Sequence, residues 1–455
     1  MYRILRIIFA LNQCVIESFN IEGNALVISV RPYRRHQKRC PICNAKCDVY
    51  DLMHTRRWRT LDAGLIMCYL QYRPARVACL RHGVHVESVP WARHRSRFTT
   101  DFEDRIAWMA VHCTISAVAA ECRIQWRTVG DICARAYADL QASRGIGRFD
   151  GLRRIGIDET SYKKGHKYLT VIIDHDRGCL IWACEGYGKE ALERFFDELS
   201  REQKRAIEVV TADGAKWIKT LVKRRCPNAR WVMDPFHVVS WMNEALNDIR
   251  AQELQVAIKN FRDAARCEYD NLTRKMKSVA SPSEVKELKE KSDLIKGSRY
   301  ALLKNPESHT KGQQAKLTAL ERSGSRLFKA WLLKEELRAV FKAADATEAA
   351  YLLDSWLKHS SHSMIPRLAE VREKIKRRKD DIISAVALGI SNARVEAINN
   401  KIKVTIRMGY GFRNTDNLIA LVMLRCSDIK PQLPGRKTSS AKPKASLISS
   451  CPQVA

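Results

Sequence analysis

The sequence predicts a multidomain α/β protein in which a mixed-sheet core is interrupted by a large all-α insertion. Three observations indicate this architecture: a length of 455 residues, apolar strand patterns between residues 153 and 232, and a long helical pattern after them. A chain of this length is expected to form roughly two to four domains. Short apolar strands that alternate with helical segments are typical of a mixed α/β sheet.

Changes in composition and periodicity divide the chain into six predicted parts. They are an N-terminal region (1–97), a short helical domain (98–148), the first part of the core (149–236), a helical insertion (237–388), the final core helices (389–427) and a tail (428–455). The tail is rich in Pro, Ser and Lys and poor in apolar residues, a composition that predicts disorder.

The charge of the chain predicts a nucleic-acid partner. Lys and Arg number 80 against 50 Asp and Glu, which gives a formal net charge of +30. Phosphate backbones attract such a surface through counterion release. No window approaches about 18 uninterrupted apolar residues, and the apolar start is broken by Arg6 and lacks a signal-peptide cleavage pattern. We therefore expect a soluble protein that is not exported and has no membrane partner.

Two short motifs in the N-terminal region predict a structural metal site. Cys40 and Cys43 form a CxxC knuckle, and Cys79 and His82 form a CxxH partner after a strand-rich span. Three thiolates and one imidazole complete a tetrahedral zinc shell and leave no open position for catalysis. The prediction is a zinc ribbon with one structural Zn²⁺. Cys47 is an alternative ligand, and unrelated core cysteines are the alternative interpretation.

The short helical domain contains a predicted helix-turn-helix. Small residues at 116–120 allow close helix crossing, and a second helical pattern follows them. Arg127, Thr128 and Arg135 lie on or near this second helix, which in the motif enters the major groove of DNA. We expect these three residues to contact DNA; an ordinary helical hairpin is the alternative.

Three carboxylates carry the predicted chemistry. Asp158 and Asp213 each lie toward the end of an apolar strand, so that neighbouring strands would bring them to one metal site. Glu396 lies in a later helical segment, where spacing by 3.6 residues groups the polar side chains on one face. That face contains Asn392, Glu396, Asn400, Lys403 and Arg407. It combines a metal ligand with amide and cationic contacts to phosphate.

These segments resemble the ISL-three family of bacterial insertion-sequence transposases. The resemblance covers nearly all of residues 40–426 and rests on the segments GIDETSYKKGHKYLTVIID, TADGAKWI, DPFHVV and SNARVEAINNKIK, the last followed by MGYGFRN. It implies an RNase H-like core whose acidic triad is Asp158, Asp213 and Glu396. It also implies a transposase that binds terminal inverted repeats, cleaves DNA and transfers strands.

The same resemblance gives Asp213 a rival. Asp234 and His237 match an Asp-x-x-His signature found between the second and third acids of related transposases. Asp234 is the alternative metal ligand, and His237 is expected to orient DNA or a nearby side chain. Capping of a helix before Pro235 is an equally simple structural role for Asp234.

The predicted triad implies two divalent ions, Mg²⁺ or Mn²⁺, which suit carboxylate ligands and phosphodiester chemistry. The expected partners are double-stranded DNA of the terminal repeats and of the target, and a homodimer or larger assembly that pairs two ends. The expected location is the bacterial cytoplasm, with the nucleoid. Two other function classes stay open: a non-catalytic DNA-binding regulator or inactive transposase, and an RNase H-like nuclease that cuts without joining. Metal-dependent strand transfer distinguishes the transposase from both alternatives, and release of cut products that are never joined identifies the nuclease.

Overall fold

The protein has the predicted mixed α/β architecture, built around a five-stranded sheet. This computed structural model describes residues 1–212, 215–233, 235–270, 275–278, 280–389 and 393–436. No helix in those residues is long and apolar enough to cross a membrane.

The N-terminal region combines a short helix with two small sheets. Their bounds are α1 Tyr2–Ile8, β1 Cys14–Glu22, β2 Ala25–Pro32, β3 Asp48–Leu52, β4 Arg56–Ala63, β5 Ile66–Tyr72, β6 Ala75–Cys79 and β7 Gly83–Val86. The larger sheet has the strand order β1-β2-β5-β4, and the smaller one has the order β3-β6-β7. Ile28, Trp58 and Leu70 of the larger sheet are buried with Leu5 of α1 in one core.

Three helices follow: α2 Thr100–His112, α3 Ile115–Glu121 and α4 Trp126–Ala142. Thr99 and Thr114 cap α2 and α3, because each side chain accepts a hydrogen bond from the backbone N–H of the third residue of its helix. α3 and α4 are the two helices of the predicted helix-turn-helix.

The core is a mixed sheet with helices on both faces. Its elements are β8 Arg154–Lys163, β9 Lys167–Asp174, β10 Cys179–Glu185, α5 Lys189–Glu198, α6 Arg201–Ala206, β11 Val209–Ala212, α7 Lys216–Arg225 and β12 Arg230–Met233. The strand order is β10-β9-β8-β11-β12, in which β8, β9 and β10 are antiparallel and β8, β11 and β12 are parallel. Alternate residues of β9 face opposite sides: Val171 and Ile173 lie in one apolar cluster and Ile172 in the other.

A helical insertion separates this sheet from the last helices of the core. It contains α8 Pro235–Ala264, β13 Cys267–Asp270, β14 Lys275–Ser278, α9 Pro282–Gly297, α10 Arg299–Leu303, α11 Lys311–Arg322, α12 Arg326–Val340, α13 Ala346–Ser361, α14 Pro366–Lys376 and α15 Lys379–Ala387. The prediction of an all-α insertion is therefore corrected, because β13 and β14 form an antiparallel hairpin. Both strands alternate polar and less polar residues, but four residues are too few to stand out in a helical pattern.

Two final helices, α16 Ala393–Met408 and α17 Thr415–Cys426, return to the core. Val395, Ile398 and Ile402 of α16 are buried in the apolar cluster that covers one face of the sheet. α17 packs against α4, where a Cβ on Gly130 would lie 2.7 Å from Nδ2 of Asn417. The two helices of the predicted helix-turn-helix are thus docked closely on the core.

The first residues of the predicted disordered tail pack against the rest of the chain. Asp428 pairs with Arg144 at 2.6 Å, and Ile429 is buried. Nζ of Lys430 donates to the carbonyl oxygens of Leu424 and Arg425. These carbonyls end α17 and have no partner within the helix, so the chain that follows it is held in place. The rest of the predicted tail, from residue 437, lies outside the described residues.

Candidate functional site

The four predicted zinc ligands lie together at the edge of the smaller N-terminal sheet. The ligand atoms of Cys40, Cys43, Cys79 and His82 all lie within 4.8 Å of one another. Sγ of Cys79 lies 3.5 Å from Nδ1 of His82 and 3.7 Å from Sγ of Cys43. Cys47 is not a member of this group, although its thiol lies beside it: the thiol interacts with Cys79 and also contacts the carbonyl oxygen of Ala45. The Cys3His set predicted from spacing is confirmed as a cluster with the donor atoms that zinc prefers.

Backbone geometry favours the metal-binding form of two of these thiols. The backbone N–H of Cys43 lowers the pKa of the Cys40 thiol. The backbone N–H of Arg81 lowers the pKa of the Cys79 thiol to about 7. The thiolate is the form that binds metal. The backbone of each knuckle therefore favours metal binding by one of its cysteines.

The three predicted DNA contacts on α4 differ in their surroundings. Arg127 is exposed and Thr128 is half-buried in the first turn of the helix. Arg135 donates from Nε and Nη2 to Oε1 of Glu103, at 2.8 and 2.6 Å. Glu103 is fully buried and also accepts from Arg93. Arg135 therefore helps to neutralise a buried carboxylate that joins α2 to α4.

Asp158 lies in the middle of β8, on the sheet face that α16 covers. Its cross-strand partner is Val171, which faces the apolar cluster containing α16. Two residues earlier on the same face, a Cβ on Gly156 would lie 3.1 Å from Cγ2 of Val395. The absence of a side chain at Gly156 allows the start of α16 to approach the strand closely.

One hydrogen bond joins the strand to the helix at this point. Nδ2 of Asn399 on α16 donates to Oδ2 of Asp158, while the other carboxylate oxygen accepts from the backbone N–H of Glu159 at 2.7 Å. Asn399 is 9 % exposed, and its Oδ1 is a buried acceptor without a partner in the described structure. Sequence reasoning missed this residue, because helical spacing assigned the site-facing amide to its neighbour Asn400. The available signal was its position three residues after Glu396.

The polar face predicted for α16 is exposed to solvent. Glu396, Asn400, Lys403 and Arg407 are all exposed. Side chains three residues apart on a helix are neighbours, with Cβ atoms about 5–6 Å apart. The contact between Asn399 and Asp158 therefore brings the turn that carries Glu396 next to β8.

Three other predicted site residues, Asp213, Asp234 and Asn392, lie outside the described residues. The described residues next to Asp213 and Asp234 belong to two neighbouring strands and one helix. β11 ends at Ala212 and β12 at Met233, and these two residues are paired in parallel register. His237 is half-buried in the first turn of α8.

Comparison with known proteins identifies two matching families in the chain. Residues 155–422 match a family described as a transposase, and residues 87–137 match the helix-turn-helix domain of transposase family ISL3. The chain is 42 % identical over 416 residues to the transposase for insertion sequence element IS1557 of Mycobacterium tuberculosis, covering 91 % of each chain. It is 24 % identical over 396 residues to the transposase for insertion sequence element IS1001 of Bordetella parapertussis, covering 87 % of this chain and 90 % of that protein.

A helix-turn-helix docked on a core that carries a transposase domain defines a DNA-transposing enzyme that uses divalent metal ions. The chain belongs to the ISL3 (ISL-three) family of transposases. The resemblance seen in its sequence motifs is confirmed.

Proposed function

We propose that this transposase cleaves DNA at the terminal inverted repeats of its insertion sequence and joins the freed 3′-hydroxyl ends to target DNA. The observation that carries the proposal is the hydrogen bond from Asn399 to Asp158, which brings the Glu396 turn to the strand. Asp158 and Glu396 then serve as the first and third acids of one site. The core around them is RNase H-like in this proposal, consistent with the strand order of the sheet.

Strand register supports Asp213 as the second acid. Thr211 of β11 is paired with Gly156 of β8. Asp158 follows Gly156 by two residues, and Asp213 follows Thr211 by two residues. Asp234 is the alternative, since it comes directly after Met233, the partner of Ala212.

The donor set around Asp158 fits a hard divalent cation. Carboxylate and amide oxygens are the ligands that Mg²⁺ and Mn²⁺ prefer. Oδ1 of Asn399 is a buried acceptor beside the carboxylate and has no partner in the described structure. A water molecule bound to the cation would donate a hydrogen bond to it. Two such ions would activate the attacking hydroxyl and stabilise the departing oxygen. In this proposal Asp158, Asp213 and Glu396 supply the ligands, and Asn399 holds Asp158 in orientation.

DNA recognition is assigned to the exposed start of α4. Residues near the N-terminus of a recognition helix contact base edges in the major groove. Arg127 and Thr128 occupy that position, whereas Arg135 is engaged by Glu103. Lys403 and Arg407 on α16 are proposed to contact phosphates near the site, with His237 and Asn400 in supporting roles.

The Cys3His cluster is proposed to hold one structural Zn²⁺ that keeps the N-terminal sheet and its basic loops in place for DNA binding. Pairing two transposon ends calls for a homodimer or larger assembly. A protein that acts on chromosomal DNA is proposed to reside in the bacterial cytoplasm, with the nucleoid.

The test uses purified protein, labelled terminal-repeat duplex, a target plasmid and Mg²⁺. We expect both cleaved ends and joined products, and neither in the presence of a chelator. Binding without any product would favour the regulator or inactive transposase. Cleaved ends that are never joined would favour the nuclease.

A further inference from the structure

A groove lies between α2 and α16, and we name it the α2–α16 groove. Its volume of about 720 Å³ falls within the range of roughly 300–1,000 Å³ that is typical of small-molecule sites. Ala397 and Asn400 line the groove on α16. Ala397 directly follows Glu396, and Asn400 follows Glu396 by about one helical turn. The groove therefore opens beside a proposed catalytic carboxylate.

The walls of the groove are apolar and aromatic. Trp108 and Val111 of α2 line one side, and Val404 and Met408 of α16 line the other. The indole of Trp108 is half-buried and lies against the imidazole of His112, with ring centroids 4.4 Å apart. Val404 is 46 % exposed. Apolar surface that folding leaves open to solvent is typical of a binding site, and here it includes a part-exposed aromatic ring.

The charged residues of the groove are all cations. Lys401, Arg425 and Lys430 line it, and none of the lining residues that the structure describes is acidic. Arg425 donates to the carbonyl oxygen of Val111 at the end of α2, and Lys430 donates to that of Leu424 at the end of α17. These contacts satisfy hydrogen bonds, but a helix end carries only about half a negative charge. Both cations therefore keep part of their positive charge uncompensated.

Lys401 adds a third charge to the same groove. It is exposed and forms no ion pair with the residues that the structure describes. Desolvation and the charge of Lys401 both lower the pKa of Lys430, so the two ammonium groups lie close together. Asp428, the acid nearest to Lys430 in sequence, is paired with Arg144 at 2.6 Å. The groove is therefore suited to a ligand that combines an apolar ring with a negative charge.

We infer that the α2–α16 groove binds one unpaired nucleotide of the DNA strand beside the cleaved phosphodiester. The base stacks on Trp108, and its phosphate contacts Lys401 and Lys430. A base inside a duplex has both faces covered by its neighbours, so this stacking requires that the nucleotide leave the duplex. A paired backbone would need the cations but not the apolar walls. The inference rests on the proposed DNA-processing function and adds a locally unpaired strand to the substrate of that site.

The test measures the affinity for terminal-repeat duplexes that are altered at one position at a time near the cleavage site. At each position, the strand carries a paired base, a mismatched base or an abasic sugar. In the unmodified protein, we expect one position where the mismatched base binds about tenfold tighter than the paired base, because a mismatch is easier to unpair. The abasic sugar there should bind about tenfold more weakly than the mismatched base, because stacking is lost.

Replacing Trp108 should change this pattern. In Trp108→Ala, the mismatched and abasic duplexes should bind equally, whereas Trp108→Phe keeps a ring and should still distinguish them. Lys401→Gln should keep the difference but weaken binding to every duplex, and the slope of log affinity against log salt concentration should fall by about one. Each comparison of two duplexes is a ratio within one protein, so partial loss of folded protein does not alter it.

Tyr351→Ala on α13 and Lys286→Gln on α9 are matched controls, because both residues are exposed and lie outside the groove. They should behave like the unmodified protein. A difference between mismatched and abasic duplexes that survives in Trp108→Ala would overturn the inference, as would the absence of any such position in the unmodified protein. Weaker binding by Lys401→Gln with no effect of Trp108→Ala would overturn it too, because a paired backbone would then occupy the groove. Absence of any binding to repeat DNA would instead contradict the proposed function.

Discussion

Asn399 donates a hydrogen bond to Asp158 although the two residues are 241 positions apart in the chain. The insertion lies between them, so the contact forms only when α16 returns to the sheet. The arrangement makes Asn399 a positioning residue for the first acid of the proposed site. It also couples folding of the last helices to assembly of that site.

Replacing Asn399 tests this coupling. Asn399→Ala removes the donor to Asp158, so we expect joining activity to fall about tenfold while binding to repeat DNA is retained. Asn399→Asp puts a second negative charge beside Asp158, and we expect a larger loss that higher Mg²⁺ concentrations partly restore. Turnover and DNA affinity are measured separately.

The control is Asn228→Ala, since Asn228 is an exposed amide that donates to the carbonyl oxygen of Arg205. It should behave like the unmodified protein. Equal activity of Asn399→Ala and Asn228→Ala would show that the contact with Asp158 has no role in the reaction.

Gly156→Ala tests the close approach of α16 to β8. The added Cβ would lie 3.0 Å from Nε2 of His175, 3.1 Å from Cγ2 of Val395 and 3.2 Å from Oγ1 of Thr211. We expect the free energy of unfolding to fall by about 1–3 kcal/mol and joining to decrease, because α16 must move. Gly312→Ala is the control, since a Cβ there meets nothing within 4 Å. A Gly156→Ala protein with unchanged denaturation and activity would contradict the proposed packing.

Zinc content distinguishes Cys43 from Cys47. Cys43 belongs to the four-residue cluster, whereas Cys47 does not. We expect one zinc ion per chain, its loss in Cys43→Ser and its retention in Cys47→Ser, measured by elemental analysis. A chelator should lower the melting temperature of the unmodified protein, because a structural zinc contributes to folding. Zinc loss in Cys47→Ser with full retention in Cys43→Ser would reverse the assignment.

Replacing Arg127 and Arg135 of α4 should affect different properties: DNA binding for Arg127 and stability for Arg135. Arg127→Gln should weaken repeat binding about tenfold or more with normal stability, because an exposed side chain on the recognition helix is lost. Arg135→Gln should lower the free energy of unfolding by about 1–2 kcal/mol, because the buried Glu103 loses a charged partner. DNA binding by anisotropy and denaturant unfolding separate the two. If Arg135→Gln keeps normal stability but loses DNA binding, Arg135 is a DNA contact as the sequence predicted.

Sequence reasoning predicted most of the architecture because local patterns determine it. The paired Cys and His spacing predicted the metal cluster, and the small residues of α3 predicted its close pairing with α4. The contact of Asn399 was not predictable from helical spacing alone, because the missing side chain at Gly156 determines how closely α16 approaches β8. The role of Arg135 was hidden for a similar reason: its partner Glu103 lies on a different helix, and only tertiary packing buries that carboxylate.

The most direct test of the proposed active site is a joining assay on Asp158→Asn, Asp213→Asn and Glu396→Gln. Asp234→Asn is assayed in parallel, and Glu190→Gln on α5 is the control because Glu190 is an exposed acid. Each of the first three changes removes a charge needed to hold divalent ions. We expect all three to abolish joining of terminal-repeat ends and to keep repeat binding, with Glu190→Gln unaffected. Loss in Asp234→Asn together with normal joining in Asp213→Asn would move the second ligand to Asp234. Joining by all three triad variants would contradict the proposed active site.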